Sequence, residues 1–199
     1  YANENWCMIG YHSVSVVAEA IVTGNLIGTN ANRALDAAVQ TAKTKYYDGL
    51  GYYMNLGYVP EDKNSSSVSK TLEYAYDDWA IAQAAKKLGR TSVYNEFLKR
   101  SENWRNVYDP SVGFMRPRMS DGKFSAEFDP LKTEGQGFIE GNAWNYSLYV
   151  PHDPDAMIRL MGGKDQFVQR LDSLFSMTLP DSFFAETEDI TRDGIIGGY

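Results

Sequence analysis

The stretch from Ser67 to Leu88 constrains the fold of this chain most. Val68, Leu72, Ala75, Trp79 and Ala82 recur at alternating steps of four and three residues, the period that lines side chains along one face of an α-helix. Ser65, Ser66 and Ser67 offer N-caps ahead of it, and Gly89 closes it. On another face Glu73 and Asp77 stand four residues apart, beside Tyr74, Tyr76 and Asp78. Like charges at that spacing repel, so a solvated acidic face is one reading. Carboxylates interleaved with tyrosines equally suit a polar cavity, which makes Asp77, with Glu73 beside it, a candidate binding residue.

Other helices follow from the same period. Val14, Val17, Ala18, Ile21 and Val22 form a stripe stopped by Gly24, with His12 at its entrance. A lone imidazole there is either a capping or hydrogen-bonded core histidine, or a ligand contact. Thr29 or Asn30 caps a second helix through Leu35, Ala38, Val39 and Ala42, with Tyr46 and Tyr47 in its last turn and Gly49 and Gly51 ending it. A further helix runs from Thr91 through Phe97, Leu98, Trp104 and Tyr108 until Asp109-Pro110 stops it. Periodicity then disappears up to Ile139. A turn-rich connection of that length inside a compact protein, with apolar residues in it, is expected to be an ordered, functional loop. Asp153 as N-cap with Pro154 at the first helical position starts another helix, and Phe167, Val168, Leu171, Leu174 and Phe175 mark an amphipathic one beyond the Gly162-Gly163 break. The tail from Leu179 to Tyr199 reads as loop. No convincing period-two strand, glycine-rich phosphate loop or nucleophile elbow is found. The expected class is all-α, and without a fixed repeat period a toroid of helical hairpins is favoured over a repeat array.

Composition narrows the function. A chain of 199 residues with 43% hydrophobic content can bury a real core. A formal charge of -7, with no cluster of Lys and Arg, argues against a nucleic-acid partner. There is no apolar run of membrane-spanning length and no signal peptide. Cys7 is the only cysteine and His12 and His152 the only histidines, so intrachain disulfides and structural zinc are excluded and transition-metal sites are not expected. The 14 Tyr and 4 Trp suit stacking against sugar rings.

The chemistry concentrates in Phe138–Asp153, where Glu140, Asn142, Trp144, Tyr146, His152 and Asp153 fall within sixteen positions. That mixture belongs to a site for a polar, ring-shaped ligand. A carboxyl partly withdrawn from water by Trp144 and Tyr146 has its charged form disfavoured, so Glu140 has the profile of a general acid. Glycoside hydrolysis asks for such an acid and a second carboxylate, ~6.5–9.5 Å away if water attacks directly and about 5 Å away if the carboxylate is the nucleophile. On physics alone, Glu140 as a cap of the following helix is an equal reading.

Five segments carry a resemblance: Cys7-Met-Ile-Gly-Tyr-His-Ser13, Gly57-Tyr-Val-Pro60, Ser67-Val-Ser-Lys-Thr-Leu-Glu-Tyr-Ala-Tyr-Asp-Asp-Trp79, Gly113-Phe-Met-Arg116, and Glu140-Gly-Asn-Ala-Trp144 with Val150-Pro-His-Asp153. They resemble glycoside hydrolase family ninety-two, exo-acting α-mannosidases abundant in Bacteroides-like bacteria, and the similarity extends over nearly the whole chain. The resemblance implies an (α/α)6-barrel catalytic domain, calcium dependence, hydrolysis with inversion, a mannose-containing glycan as substrate, and a periplasmic, cell-surface or secreted location. It matches Glu140 to the general acid, with Asn142, Trp144, His152, His12 and Asp77 as candidate substrate contacts.

Two departures qualify it. Asn145 stands where Gln is expected after Glu-Gly-Asn-Ala-Trp. The family's upstream Trp-Asp-Thr segment, its downstream Gly-Asn-Glu-Pro-like segment and the later segment that supplies the base are absent. Residues 1–199 are therefore expected to form a single piece, about half, of a helical barrel, inactive without the rest of its own catalytic domain. Most calcium ligands would lie elsewhere, and no metal site is assigned within the chain. Two readings from other classes remain: a non-catalytic glycan-binding helical module, and a helical scaffold whose aromatics are simple core.

Overall fold

The structure, a computed structural model, describes residues 8–132 and 135–178. The expected loop from Leu179 onward lies outside them. The elements in chain order are α1 (Ser13–Val22), α2 (Gly28–Thr41), α3 (Leu50–Leu56), α4 (Ser67–Lys87), α5 (Thr91–Arg100), a 3-10 helix (Ser101–Val107), β1 (Tyr108–Asp109), β2 (Phe114–Met115), α6 (Ala143–Tyr146), α7 (Pro154–Leu160) and α8 (Lys164–Ser176). Among the described residues no helix is long and apolar enough to cross a membrane.

α4 is the axis, packed against α1, α2, α5 and the 3-10 helix. Its apolar residues serve two cores. Val68, Leu72 and Ala75 join Trp104, Met115, Phe138, Val150 and Met157 on one side. Tyr74, Ile81, Ala82 and Ala85 join Ile21, Leu35, Tyr53 and Phe97 on the other. The single apolar face expected of α4 is thus too narrow a description. Small alanines around its circumference let several helices approach, and a helix enclosed on all sides buries polar positions as well. Asp77 and Asp78 are both fully buried, which overturns the solvated acidic face. Asp78 is neutralised by Arg100 Nε at 2.9 Å and accepts the hydroxyls of Tyr11 at 2.7 Å and Tyr53 at 2.9 Å. Desolvation raises its pKa to about 6.

Several element ends differ from the expectation. No serine side chain caps α4: Ser66 sits at the N-cap in a left-handed conformation, and the free N–H groups of Val68 and Ser69 donate to the carbonyl of Gly137 at 2.9 and 3.1 Å. Thr29 and Asn30 lie inside α2 behind Ile27, and Tyr46 and Tyr47 lie beyond its end. α3 was masked in the sequence by Gly49 and Gly51. The helix expected over 91–108 divides at Ser101, where Ser101, Trp104 and Val107, all buried, recur every three residues, the repeat of a 3-10 helix.

The turn-rich connection contains a short hairpin pairing Tyr108 with Met115 and Asp109 with Phe114. Two-residue strands are too short to show alternation in a sequence. Arg116 ties the connection down by donating to Asp109 Oδ2 at 2.9 Å and to the Ser125 carbonyl at 3.0 Å. Beyond it Asp153 caps α7 as expected, accepting from Ala156 N–H at 3.2 Å. In α8 only Leu174 is buried, while Val168 and Phe175 are exposed.

Candidate functional site

Two polypeptide segments converge on the N-terminal half of α4. The first is the turn into α1, where Gly10 has φ +80° and a Cβ there would lie 2.7 Å from His12 Nε2. Only glycine permits this turn, and it lays the imidazole over α4. His12 Nδ1 is 2.9 Å from Asp77 Oδ1, and Nε2 is 3.2 Å from Glu73 Oε2. Asp77 Oδ2 accepts from the Tyr11 N–H at 2.7 Å. The repulsion inherent in the Glu73–Asp77 spacing is thereby relieved by one imidazole placed between the two carboxylates.

The second segment runs through Gly137, whose Cβ would lie 2.7 Å from Val68 Cγ2, so the loop sits directly on the end of α4. The Ser69 hydroxyl receives the Ile139 N–H at 3.3 Å, and the Tyr146 hydroxyl donates to the Ile139 carbonyl at 2.8 Å. These bonds hold the next residue, Glu140, at φ +52°. A non-glycine residue there carries strain of about 1–2 kcal/mol, the kind that concentrates at functional sites.

Between the two segments is a cavity of about 230 Å³ lined by Glu73, Glu140, Asn145, Tyr146 and Tyr149. The Tyr149 hydroxyl pairs with the Glu73 carboxylate. The hydrogen bond to Asp77 raises the His12 pKa, while burial raises those of Glu73 and Asp77. All three groups are thus biased toward holding protons. A larger concavity of about 820 Å³ lies between α1 and α4, lined by Val16, Val22, Tyr76 and Trp79 among others. Its apolar walls carry none of the candidate residues, so the smaller cavity is the chemically equipped one.

The sequence candidates separate accordingly. Glu140 lines the cavity, is exposed, and is not the helix cap. His12 and Asp77 reach the cavity through Glu73. Asn142 is buried and is the N-cap of α6, its side chain accepting from Trp144 N–H at 2.9 Å and Asn145 N–H at 3.3 Å. Trp144 packs edge-on against Phe114 with centroids 5.1 Å apart, and the Arg170 guanidinium is 5.0 Å from its ring. It therefore belongs to a core and does not shield Glu140, whose aromatic neighbours in the cavity are Tyr146 and Tyr149. His152 stands apart, its Nε2 3.0 Å from the Ser101 carbonyl and its ring near Tyr76 and Trp79. Burial lowers its pKa. Tyr149 is the lining residue that sequence reasoning missed, and its spacing of three from Tyr146 was the available signal.

Residues 1–196 match the glycosyl hydrolase family 92 catalytic domain. The chain belongs to glycosyl hydrolase family 92. A family 92 α-mannosidase of Bacteroides thetaiotaomicron, solved in complex with mannoimidazole, is similar at 46% identity with a TM-score of 0.85, over 91% of this chain and 24% of that chain. An inverting family 92 mannosidase of the same bacterium is similar at 34% identity with a TM-score of 0.83, over 94% and 26% of the two chains. A curated protein of Arthroderma benhamiae named an uncharacterized secreted glycosidase is 28% identical, over 83% of this chain and 26% of its own length. The chain thus spans about a quarter of the length of these relatives. Its mostly helical architecture matches theirs and is consistent with part of an all-α (α/α) barrel.

The calcium implied by the family 92 resemblance calls for about six to eight oxygen donors. Among the described residues no group of three or more His, Cys, Asp or Glu is arranged to hold a metal ion. Of the three carboxylates on α4, Glu73 and Asp77 are engaged by His12 and Tyr149, and Asp78 by Arg100. These residues do not by themselves fit a carboxylate-built calcium centre, and no step below runs through one.

Proposed function

We propose that the protein to which residues 1–199 belong is an exo-acting α-mannosidase that hydrolyses α-1,2-linked mannosides with inversion, and that Glu140 is its general acid. Supporting this reading is one observation: Glu140 is held in a strained left-handed conformation at a cavity that is also lined by Glu73, Tyr146 and Tyr149, in a chain of family 92. The cavity offers acceptors and donors to a neutral, hydroxyl-rich ring.

In this mechanism the Glu140 carboxyl gives its proton to the glycosidic oxygen as the bond to the anomeric carbon breaks. A water molecule attacks that carbon from the opposite side, and its proton passes to a base outside the described residues. The mannose produced is the β-anomer. Residues 1–199 form one segment of the barrel, and without the base the isolated chain has no turnover. Calcium, by the family resemblance, would be held by donors elsewhere in the barrel. A periplasmic, cell-surface or otherwise secreted location is part of the same proposal, supported by the secreted relative.

The test uses the full-length enzyme and α-1,2-mannobiose. Glu140→Gln keeps the shape and removes the proton, and turnover is expected to fall about 10²- to 10⁴-fold. Unchanged turnover would show that Glu140 is not the acid, and NMR of the first product formed reads the stereochemistry.

A further inference from the structure

Glu73 is not used in the proposed proton transfer, yet it is held at the cavity by His12 and Tyr149. Its side chain is only 13% exposed, although it faces the same space as Glu140 and Tyr149. An ionised carboxylate is an acceptor with room for about four hydrogen bonds. Tyr149 engages it, and His12 Nε2 stands 3.2 Å from Oε2. That contact is not aligned as a hydrogen bond, and Oε2, shielded from solvent, receives no hydrogen-bond donor. A buried acceptor without a donor is uncommon and calls for explanation. What suits Oε2 is a donor rather than a second cation, because the imidazole Nε2 already stands 3.2 Å from it.

The chemistry that meets this need is an O–H group on a neutral ligand. An anion would meet Glu73 and Glu140 together, and a second cation would compete with His12. A sugar ring brings several hydroxyl donors without charge, and a hydrogen bond to a charged acceptor is worth more than one to a neutral acceptor.

We propose that Glu73, held by His12 and Tyr149, is a substrate-binding residue that accepts a hydroxyl hydrogen bond from the sugar in the Glu140 cavity. Asp77 acts behind it as a positioning residue: it takes His12 Nδ1, fixing the ring so that Nε2 faces Glu73. This assignment rests on the reading that the cavity binds the sugar being cleaved, and it names the group that orients that sugar.

The experiment measures binding of α-1,2-mannobiose by calorimetry to the full-length enzyme carrying Glu140→Gln, with and without Glu73→Gln. Replacing the carboxylate with the amide is expected to raise Kd about tenfold to a hundredfold. A set of singly deoxygenated methyl α-mannosides separates contact from mere support. One deoxygenated sugar should bind the two proteins almost equally, since each lacks one half of the same hydrogen bond. A Kd within twofold, or a constant penalty across the whole set, would overturn the assignment. Should Glu73→Gln fail to fold, Tyr149→Phe decides. A several-fold rise in Kd at an unchanged melting temperature supports the proposal, and an unchanged Kd sinks it. Retained turnover by Glu140→Gln alone would instead refute the acid assignment while leaving the binding comparison readable.

Discussion

His12 Nδ1 and Asp77 Oδ1 lie 2.9 Å apart although 65 positions separate the two residues in the chain. That contact welds the turn before α1 to the middle of α4 and turns a like-charged pair on one helix into a three-membered cluster with one imidazole in it. Because Glu73, the third member, lines the cavity beside Glu140, this fold-stabilising contact also sets the electrostatics of the candidate site.

The first consequence is a pH dependence. The hydrogen bond to Asp77, together with the charges of Asp77 and Glu73, raises the His12 pKa above its ordinary 6.5. A histidine raised on folding contributes stability that is fully present below the unfolded pKa and is lost as pH rises through the folded one. The stability advantage of the wild type over His12→Gln should therefore be largest below pH 6.5 and shrink as pH rises above it. Urea denaturation across that range checks the sign, and NMR titration of the imidazole checks the shift.

Gly10→Ala should be costly. The backbone there has φ +80°, and the new Cβ would meet His12 Nε2 at 2.7 Å. A left-handed alanine alone costs about 1–2 kcal/mol, and displacement of the imidazole adds to it. Thermal denaturation should show a loss of at least that size, with the His12 titration moving toward 6.5 as the contact to Asp77 loosens.

Asn142 separates a structural role from a binding one. Its side chain is occupied as the N-cap of α6, so Asn142→Ala should lower stability by about 1 kcal/mol, whereas Asn142→Asp, an equally good cap, should recover most of the loss. In the full-length Glu140→Gln background, calorimetry should find the affinity for α-1,2-mannobiose changed by less than about twofold by either substitution. A tenfold fall in the Asp variant would mean that the amide itself meets the sugar.

The buried Asp78–Arg100 pair, 2.9 Å apart, should show the asymmetry of such pairs. Arg100→Met leaves Asp78 charged among Tyr11 and Tyr53 with no cation, and a cost of ~3–5 kcal/mol is expected. Asp78, raised to about 6 by burial, makes that cost depend on pH. Protonation spares the uncompensated charge. Without Arg100, which lowers the Asp78 pKa, it sets in at higher pH than in the wild type, so the variant should recover part of its stability between pH 8 and pH 5. Melting temperatures at pH 5 and pH 8 provide the comparison.

At the surface, Asp62 accepts from both the N–H and the hydroxyl of Ser120, at 2.7 and 2.6 Å, and these bonds lower its pKa to about 2. A depressed carboxylate contributes stability above its unfolded pKa that is lost as pH falls through the folded one. Carbon-detected NMR should find this value, and Ser120→Ala, which removes the hydroxyl but keeps the N–H, should return it part of the way to 3.8.

Much of the fold was legible because helical periodicity is local. The stripes of α1, α2, α4 and α5 and the Asp153-Pro154 start of α7 were each visible within a dozen or two residues. Several short elements without a sequence signal at their start were not: α3 hid behind two glycines, α6 spans four residues, and β1 and β2 span two each. Capping by a distant carbonyl, as Gly137 caps α4, leaves no mark near the helix it serves. The candidate site divided along the same line. Glu140, His12 and Asp77 were recognisable as chemistry-bearing residues, but the aromatic shield assigned to Trp144 required knowing which way a side chain points.

The sequence by itself determined the class of fold, the family, and the short list of groups able to carry acid chemistry, since residue type and spacing along one helix depend only on near neighbours. Tertiary structure alone decided which of them share a cavity. Asn142 and Trp144 are close to Glu140 in sequence yet their side chains are spent on a cap and a core, whereas Glu73 and His12, distant in the chain, are brought to it by packing. The reason is that burial obliges every charge to find a partner. The imidazole that bonds Asp77 and faces Glu73 came from a turn that only the packing of α1 against α4 could deliver.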